Sequence, residues 1–325
     1  MAEPAASGAS GAPRILLVSA DRDRHARDLI AAFGALGATV VLAGLSEIGF
    51  DTGAASGLRI PQFGDELPDA VCLRTMDAGS FEQVTRRLGI LHALARNGVP
   101  VSNGPRAVEN CVDKSMTSFL LHRADLPSPR SYAVESRAEA ARILAAEPGP
   151  MVLKPLFGAQ GKGLKLVRGA DELPPAGEIA GGVYYLQRYA GVETGGRWSD
   201  VRVLVSAGRA VASMRREAAN WITNVKQGAN AVAMPADREM EELAIAATAA
   251  VEGDFCGVDL LRDENGRAAI IEVNSMPAWT GLQRATGSDI DAIRARDEVA
   301  TGGGLFQQRQ ARRRQRLSQP LPHAV

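Results

Sequence analysis

The sequence is poor in the residues that build several common functional sites. Its three cysteines, Cys72, Cys111 and Cys256, lie far apart and form no CxxC pair. That spacing argues against a disulfide framework and a zinc-thiolate site, and it fits a reducing, cytoplasmic location. The four histidines form no HExxH motif. No apolar run approaches the ~20 residues of a membrane span, which excludes a membrane partner of that kind. Neither sign of charge is in excess, with Lys+Arg and Asp+Glu both at 37, so nothing suggests a nucleic-acid partner. There is no GxGxxG after a strand and no GK[ST] before a helix, so neither a dinucleotide fingerprint nor a Walker A loop is present. Met1 to Pro13 is rich in Ala, Gly, Ser and Pro and lacks the basic-then-apolar layout of a signal peptide.

What remains is ordinary for a globular chain: 325 residues, 46% hydrophobic and 23% charged, enough for two or three domain-sized units. Strands are expected at Arg14–Ala20, Thr39–Leu45, Ala70–Leu73 and Val99–Ser102. Helices are expected at His25–Leu36 and Phe81–Asn97. Their alternation implies a parallel α/β sheet in residues 14–104. Beyond it come a helix at Ala107–Arg123 and another at Glu135–Glu147. A strand follows at Met151–Pro155, then a glycine-rich loop, Phe157–Gly163, and a strand at Leu164–Val167. Strands at Val183–Arg188 and Asp200–Val205, a helix at Arg238–Val251 and a final hairpin complete the pattern. The segment 1–13 reads as a disordered lead, and the Arg/Gln-rich 301–325 as a basic disordered tail.

The hairpin carries the most chemistry. Asn265-Gly266 is the dipeptide favoured by a two-residue type I′ turn. If Glu264 pairs with Arg267, Asp259 lies directly opposite Glu272. Asn274, two residues on, then projects from the same face. Val258, Leu260, Ile271 and Val273 would point into a core. Two opposed carboxylates repel unless a cation or a proton lies between them, and an all-oxygen set suits Mg²⁺. The alternative is a solvated polar face on an edge hairpin.

The glycine loop has Gly158, Gly161 and Gly163, whose bare backbone lets N–H groups approach phosphate oxygens, with Lys162 and Lys165 nearby. The alternative is a plain surface hairpin. Lys154 ends an otherwise apolar strand just before this loop, which suits a phosphate contact; the alternative is a snorkelling lysine. Asp200 and Arg202 share one face of a strand, either as a simple ion pair or as a charged floor for anions.

The segments VDKSMTSFLL, LKPLFGAQGKGLKLV, LQRYAG, SDVRVLV, MRREAANWITNVKQGA, GVDLL and IIEVNSMPAWTGLQRATG occur in that order from about Asp113 to Asp289. In this ordered set the chain resembles the ATP-grasp superfamily, and within it the RimK-type α-L-glutamate ligases. The resemblance implies an α/β fold, α+β in its C-terminal half, with a Rossmann-like pre-ATP-grasp domain (14–104) before a two-lobed ATP-grasp domain. The lobes would be 105–182, with the glycine loop, and 183–300, with the metal site.

The resemblance also implies roles. Lys114 and Lys154 match lysines that contact ATP phosphates, and Gln160, Gly161, Lys162 and Gly163 match the loop over them. Gln187, Arg188 and Tyr189 match the hinge whose backbone reads adenine, and Asp200 a nucleotide-contacting acid. Arg202, Arg216 and Asn224 match groups near the phosphates and the reacting carboxylate, and are the candidate catalytic residues. Asp259, Glu272 and Asn274 match ligands for Mg²⁺ (or Mn²⁺), and Ser275–Gly281 the turn lining the acceptor site. Implied substrates are ATP, an amino acid, glutamate first, and a carboxylate acceptor: a protein C-terminus, a coenzyme or a small peptide. Members of the family often form dimers or tetramers, which leaves a homo-oligomer open.

Four departures bear on the substrate. Arg188 replaces a common acid at the hinge, and the loop Val192–Ser199 is long. Trp221 stands where the family is more basic. Pro277-Ala278-Trp279 replaces a Pro-Gly stretch, which makes Trp279 a candidate for reshaping the acceptor pocket. Arg74, at a strand end, is a candidate acceptor contact or a structural residue. Two rival classes are a non-catalytic ATP-binding scaffold and a dehydrogenase; the missing glycine fingerprint opposes the second.

Overall fold

A computed structural model describes residues 12–158, 161 and 163–300. The expectations for residues 1–11, Gln160, Lys162 and 301–325 lie outside the described residues. Among these residues the chain forms two compact units, 12–101 with 291–300, and 102–290. No described helix is long and apolar enough to cross a membrane.

In the first unit, β1 (Arg14–Val18), α1 (Arg24–Ala35), β2 (Thr39–Ala43), a small ribbon of β3 (Gly49–Phe50) and β4 (Leu58–Arg59), β5 (Ala70–Leu73), α2 (Phe81–Arg96) and β6 (Val101–Ser102) follow in order. The sheet order is β2-β1-β5-β6, with β1 parallel to both neighbours. The run Ile15–Val18 is buried throughout, as a strand flanked on both sides must be. Asp23 caps α1 by accepting the Ala26 N–H at 2.8 Å. Ser80 and Gln83 form a capping box on α2.

Residues 290–300 are helical, and Arg294 explains why 291–300 joins this unit. Its buried guanidinium donates to the Leu73 carbonyl at 2.8 Å and to Glu298 at 2.9 Å. The C-terminal lobe was expected to run to residue 300, and this segment departs from that. Arg74 is buried and pairs with Asp23 at 3.1 Å, which makes it a structural residue of this unit.

The same corner holds a pH-sensitive group. Burial, with Arg74 beside it, pushes His25 down to about 4 from 6.5, against the pull of Asp23 and Asp28. The folded value lies below the unfolded one, so on acidification the unfolded chain takes the proton first. Stability is complete above pH 6.5 and falls as the pH drops toward 4, by at most about 3 kcal/mol. Unfolding midpoints measured from pH 7.5 to 4.5 should show this slope, and His25→Leu should flatten it. An equal slope in the variant would show that other groups carry the acid sensitivity.

The second unit begins with α3 (Pro105–Val112) and α4 (Lys114–Arg123), where one helix over Ala107–Arg123 was expected. The break is Asp113, in extended conformation. Its carboxylate accepts the Ser115 and Met116 N–H groups and so starts a new helix. There follow β7 (Ser131–Val134), α5 (Arg137–Ala146), β8 (Met151–Lys154), β9 (Lys165–Val167), β10 (Tyr184–Arg188), β11 (Glu193–Thr194), β12 (Arg197–Ser206), β13 (Arg209–Ala218), β14 (Asn230–Ala233), α6 (Arg238–Ala250), β15 (Phe255–Arg262), β16 (Ala268–Asn274) and α7 (Thr280–Thr286).

Two antiparallel sheets result, β7-β10-β8-β9 and β14-β13-β12-β15-β16, with β11 paired to β12. Because β10 hydrogen-bonds to both β7 and β8, the expected lobe boundary at 182/183 cuts through the smaller sheet. The long loop 192–199 is a ribbon of β11 and β12 closed by Gly195-Gly196, both at positive φ.

One face of the larger sheet packs on α6. Val201, Val203, Val205, Val258, Leu260, Ile270 and Val273 meet Met240, Ala244, Ala247 and Val251 there. The strand period of two then sends Asp200, Arg202, Asp259 and Glu272 to the opposite face.

Candidate active site

The charged face of the larger sheet is set by register. Directly paired residues on neighbouring strands share a face. Asp200 pairs with Arg216, Arg202 with Asp259, and Asp259 with Glu272. The carboxylate pairing at Asp259–Glu272 is as expected, but the route to it differs. The turn is not the two-residue kind. Asp263 accepts the Gly266 N–H and its own N–H donates to Arg267, giving a three-residue loop with Gly266 at φ 75°. That shifts the register by one residue, and a bulge between Asp259 and Leu260 shifts it back. The bulge turns Ile270 into the core and leaves Ile271 on the cleft side, where Ile271 was expected in the core.

This face lines a cleft with about 970 Å³ of empty space, part of it open to solvent. The smaller sheet contributes Val152, Lys154 and Gln187, followed by Arg188–Gly191, and α4 contributes Lys114. The larger sheet contributes Asp200, Arg216, Asp259, Leu261, Ile271 and Glu272. Trp221 to Asn224 and Gly161 close it. A Cβ on Gly161, at φ 68°, would fall 2.8 Å from Gln227 Nε2 and 3.1 Å from Ile222 Cγ2. Only glycine lets the loop tip rest against that segment. Of the residues expected at a site, Gly163, Arg202 and Asn274 do not line the cleft.

The charged groups at one end are tightly paired. Asp259 is buried and accepts Arg202 Nε at 2.6 Å and Nη2 at 2.7 Å, with Arg216 Nη2 at 3.0 Å. Burial opposes its charge, but the two arginines outweigh burial and hold the carboxyl below its usual range. Arg216 Nε donates to Asp200 at 2.6 Å, its Nη2 donates to the same carboxylate, and Thr223 Oγ1 adds a bond at 2.6 Å. For Asp200, burial, with repulsion from Asp259, outweighs these donors and raises the carboxyl. The alternative of an ion pair between Asp200 and Arg202 within β12 is thus not what forms. Each pairs across to a different strand.

Two lysines face Glu272. Lys114 Nζ lies 3.8 Å from Glu272 Oε1 and donates to Gly158 O at 2.8 Å, which ties α4 to the glycine loop. Lys154 Nζ donates to Gln187 Oε1 at 2.6 Å. Burial holds Lys154 below its ordinary value; Glu272 opposes this and Lys114 adds to it. Gln187, itself buried, therefore acts through Lys154, and its amide nitrogen donates to Ser131 Oγ at 3.3 Å.

The hinge differs in detail from its expected role. The N–H groups of Arg188 and Tyr189 are bonded to the Arg130 and Pro150 carbonyls at 2.8 and 3.0 Å. Those two N–H groups are already engaged within the sheet and its flanks. The Arg188 side chain turns to Glu147, at 2.9 and 2.6 Å. Arg188→Ala should therefore leave ADP affinity within a factor of about 3, the worth of a partly exposed ion pair. A tenfold loss measured by calorimetry would place that side chain in the ligand contact instead.

Tyr189 meets Trp221 edge-to-face with centroids 6.0 Å apart. Together with Trp198 these rings line the cleft, and the sequence assigned neither Trp198 nor Thr223 a role of its own. Trp279 is not a pocket residue: it is fully buried, edge-on to Phe255 at 5.4 Å.

Among the described residues, no three His, Cys, Asp or Glu side chains cluster to hold a metal by themselves. Asp259 and Glu272, directly paired across β15 and β16, are the residues that could offer oxygen donors to a hard divalent ion. The Asn274 amide nitrogen donates to Gly257 O at 3.4 Å. Arg202 and Arg216 neutralise Asp259.

The chain is similar to known proteins of one family. The model of the RimK-like ATP-grasp domain matches residues 111–296. The tetrahydromethanopterin:alpha-L-glutamate ligase of Methanosarcina acetivorans is 34% identical over 251 residues, covering 67% of this chain and 76% of that protein. The ATP-grasp ligase PsnB complexed with minimal precursor superposes with a TM-score of 0.68 at 21% identity, over 89% of this chain and 99% of that one. PsnB complexed with minimal precursor, Mg and ADP gives 0.66 at 20% identity, over 89% and 97%. At that identity the two structures speak for the fold. With more than half its length matched by the family model, the chain belongs to the RimK-like ATP-grasp family of ligases.

Proposed function

We propose that this chain joins the amino group of an amino acid, glutamate first, to a carboxylate acceptor, with ATP and Mg²⁺. The observation that carries the proposal is the convergence of Lys114, Lys154, Asp259 and Glu272 in one cleft that apolar and aromatic side chains also line. Val152, Leu261 and Ile271 suit the faces of an adenine, and the lysines suit phosphates. The similarity to a glutamate ligase supports the amino acid.

In this reading Lys114 and Lys154 bind the phosphates, and Asp259, Glu272 and Asn274 hold the divalent ion. The ion supplies charge neutralisation at the phosphate oxygens. The acceptor carboxylate attacks the γ-phosphorus in line; ADP leaves and an acyl-phosphate forms. The amine then attacks the acyl carbon, and phosphate and a proton leave as the amide forms. Arg202 and Arg216 stabilise charge on the carboxylate oxygens as it reacts. The glycine loop, tied down by Lys114 and lying against residues 222–227, keeps water from the acyl-phosphate. No side chain need act as a nucleophile.

The test is an ADP-release screen of purified protein with the twenty amino acids against protein C-termini, pterin- and deazaflavin-type coenzymes and small peptides, with product masses recorded. Glutamate-dependent ADP release with an adduct heavier by one or more glutamyl units is expected. Nucleotide binding with no ADP formed from any pair would leave a non-catalytic ATP-binding scaffold as the reading.

A further inference from the structure

We propose that Arg202 is a resident cation at the metal position, released from Asp259 by a divalent ion and handed to a substrate carboxylate. The inference rests on the metal and carboxylate roles proposed above and adds a coupling between them.

Three observations point to it. First, Asp259 is directly paired with Arg202 on one side and Glu272 on the other. The strand beside the one that supplies a prospective metal ligand thus places a cation against it. Second, the two arginines on Asp259 are not equivalent. Arg216 is buried and has its fork on Asp200, touching Asp259 through one nitrogen at 3.0 Å. Arg202 places its whole fork on Asp259, at 2.6 and 2.7 Å. A divalent ion drawing on both carboxylates repels both guanidiniums. Arg216 keeps Asp200 when Asp259 is taken, whereas Arg202 loses its partner. Third, Arg202 stands next to the turn that follows β16. A Cβ on Gly257 would lie 3.7 Å from Arg202 Nε and 2.9 Å from Pro277 Cβ. The freed fork is therefore beside the 275–281 turn, where a planar carboxylate suits it.

The consequence is linkage. An ion that displaces Arg202 raises the affinity for a carboxylate, and the carboxylate raises the affinity for the ion by the same factor. It also makes the order of events physical: the fork is offered to the acceptor only when the metal is in place.

The experiment measures Mn²⁺ binding with ADP present, by the paramagnetic resonance signal of the free ion, with glutarate as the carboxylate probe. Wild type should bind Mn²⁺, and Glu272→Gln should bind it at least about tenfold more weakly. Arg202→Gln, with no cation to displace, should bind Mn²⁺ about 5- to 50-fold more tightly. Glutarate should tighten Mn²⁺ binding to wild type and leave Arg202→Gln unchanged. Equal or weaker Mn²⁺ binding by folded Arg202→Gln, or no effect of glutarate on wild type, overturns the handover and leaves the proposed ligands standing. A Glu272→Gln protein that binds Mn²⁺ as wild type does would overturn the ligand assignment, and the handover with it. Should Arg202→Gln fail to fold, the Arg202 Nε–H resonance of wild type decides. It should move on addition of Mg²⁺ and ADP, and a resonance that stays in place overturns the proposal.

Discussion

Glu272→Gln is expected to lower amino-acid-dependent ADP formation by roughly 10²–10³-fold while leaving the fold intact. The substitution keeps shape and one oxygen acceptor and removes only charge. Glu272 is the carboxylate of the pair that carries no arginine, and its recorded ion-pair partner is Lys114 at 3.8 Å. Losing a partly exposed pair of that length changes stability by about 1 kcal/mol or less. Losing half of the negative charge that would hold the divalent ion removes several kcal/mol of stabilisation at the phosphates, and each ~1.4 kcal/mol is tenfold in rate. Lys154→Ala should fall in the same range, because it removes the half-buried cation that faces Glu272 in the cleft. The check is the rate of ADP release with the best substrate pair, alongside the unfolding midpoint. Full activity in either variant defeats the proposed function. Lost activity with a midpoint many degrees lower would report misfolding and not chemistry.

Asn103→Ala is expected to give the largest loss of stability in the second unit, about 3–5 kcal/mol. Asn103 has 0% exposure, and its side chain bonds four backbone groups. Its oxygen accepts the Asp254 and Phe255 N–H groups at 2.6 and 2.8 Å. Its nitrogen donates to the Phe255 and Ser275 carbonyls at 2.8 and 2.5 Å. Alanine leaves four buried polar groups without that partner, each with a desolvation penalty of about 1–3 kcal/mol, partly relieved by relaxation or entering water. These bonds join the start of β15 to the end of β16, the two strands that carry Asp259 and Glu272, so activity should fall along with stability. Denaturant unfolding measures the loss. A change under about 1 kcal/mol would mean that water takes over all four bonds.

Asn103 also shows what a sequence hides. Nothing in Val101-Ser102-Asn103-Gly104 marks that asparagine, because its partners lie about 150 residues away. The same holds for Arg202 and Arg216. Their types and the i, i+2 relation of Asp200 to Arg202 were legible, but which carboxylate each would grip was not. Arg202 reaches Asp259 across a strand pairing that spans 57 residues and the whole of α6. Local patterns do carry local outcomes. The apolar runs of β1 and β5, the Asn97-Gly98 end of α2 and the core face of β12 follow from periodicity and turn chemistry. Asp113 was readable as a residue yet not as a helix boundary, since the pattern on either side of it is helical and only the cap decides the break.

The sequence by itself determined the alternation of strands and helices and the ordered motifs that place the chain in its family. It could do so because both rest on short-range geometry: strand period and ordered motif spacing. The pairing of Asp259 with Glu272 was expected from a two-residue turn but arises from a longer turn and a bulge whose shifts cancel, which no dipeptide rule foretells. The tertiary structure alone decided that β10 belongs to the smaller sheet, that Trp279 is core, that Arg188 faces Glu147, that Arg202 grips Asp259 and that Arg216 grips Asp200 while also touching Asp259. Those outcomes depend on which distant strands meet and on which charges must be neutralised once water is excluded.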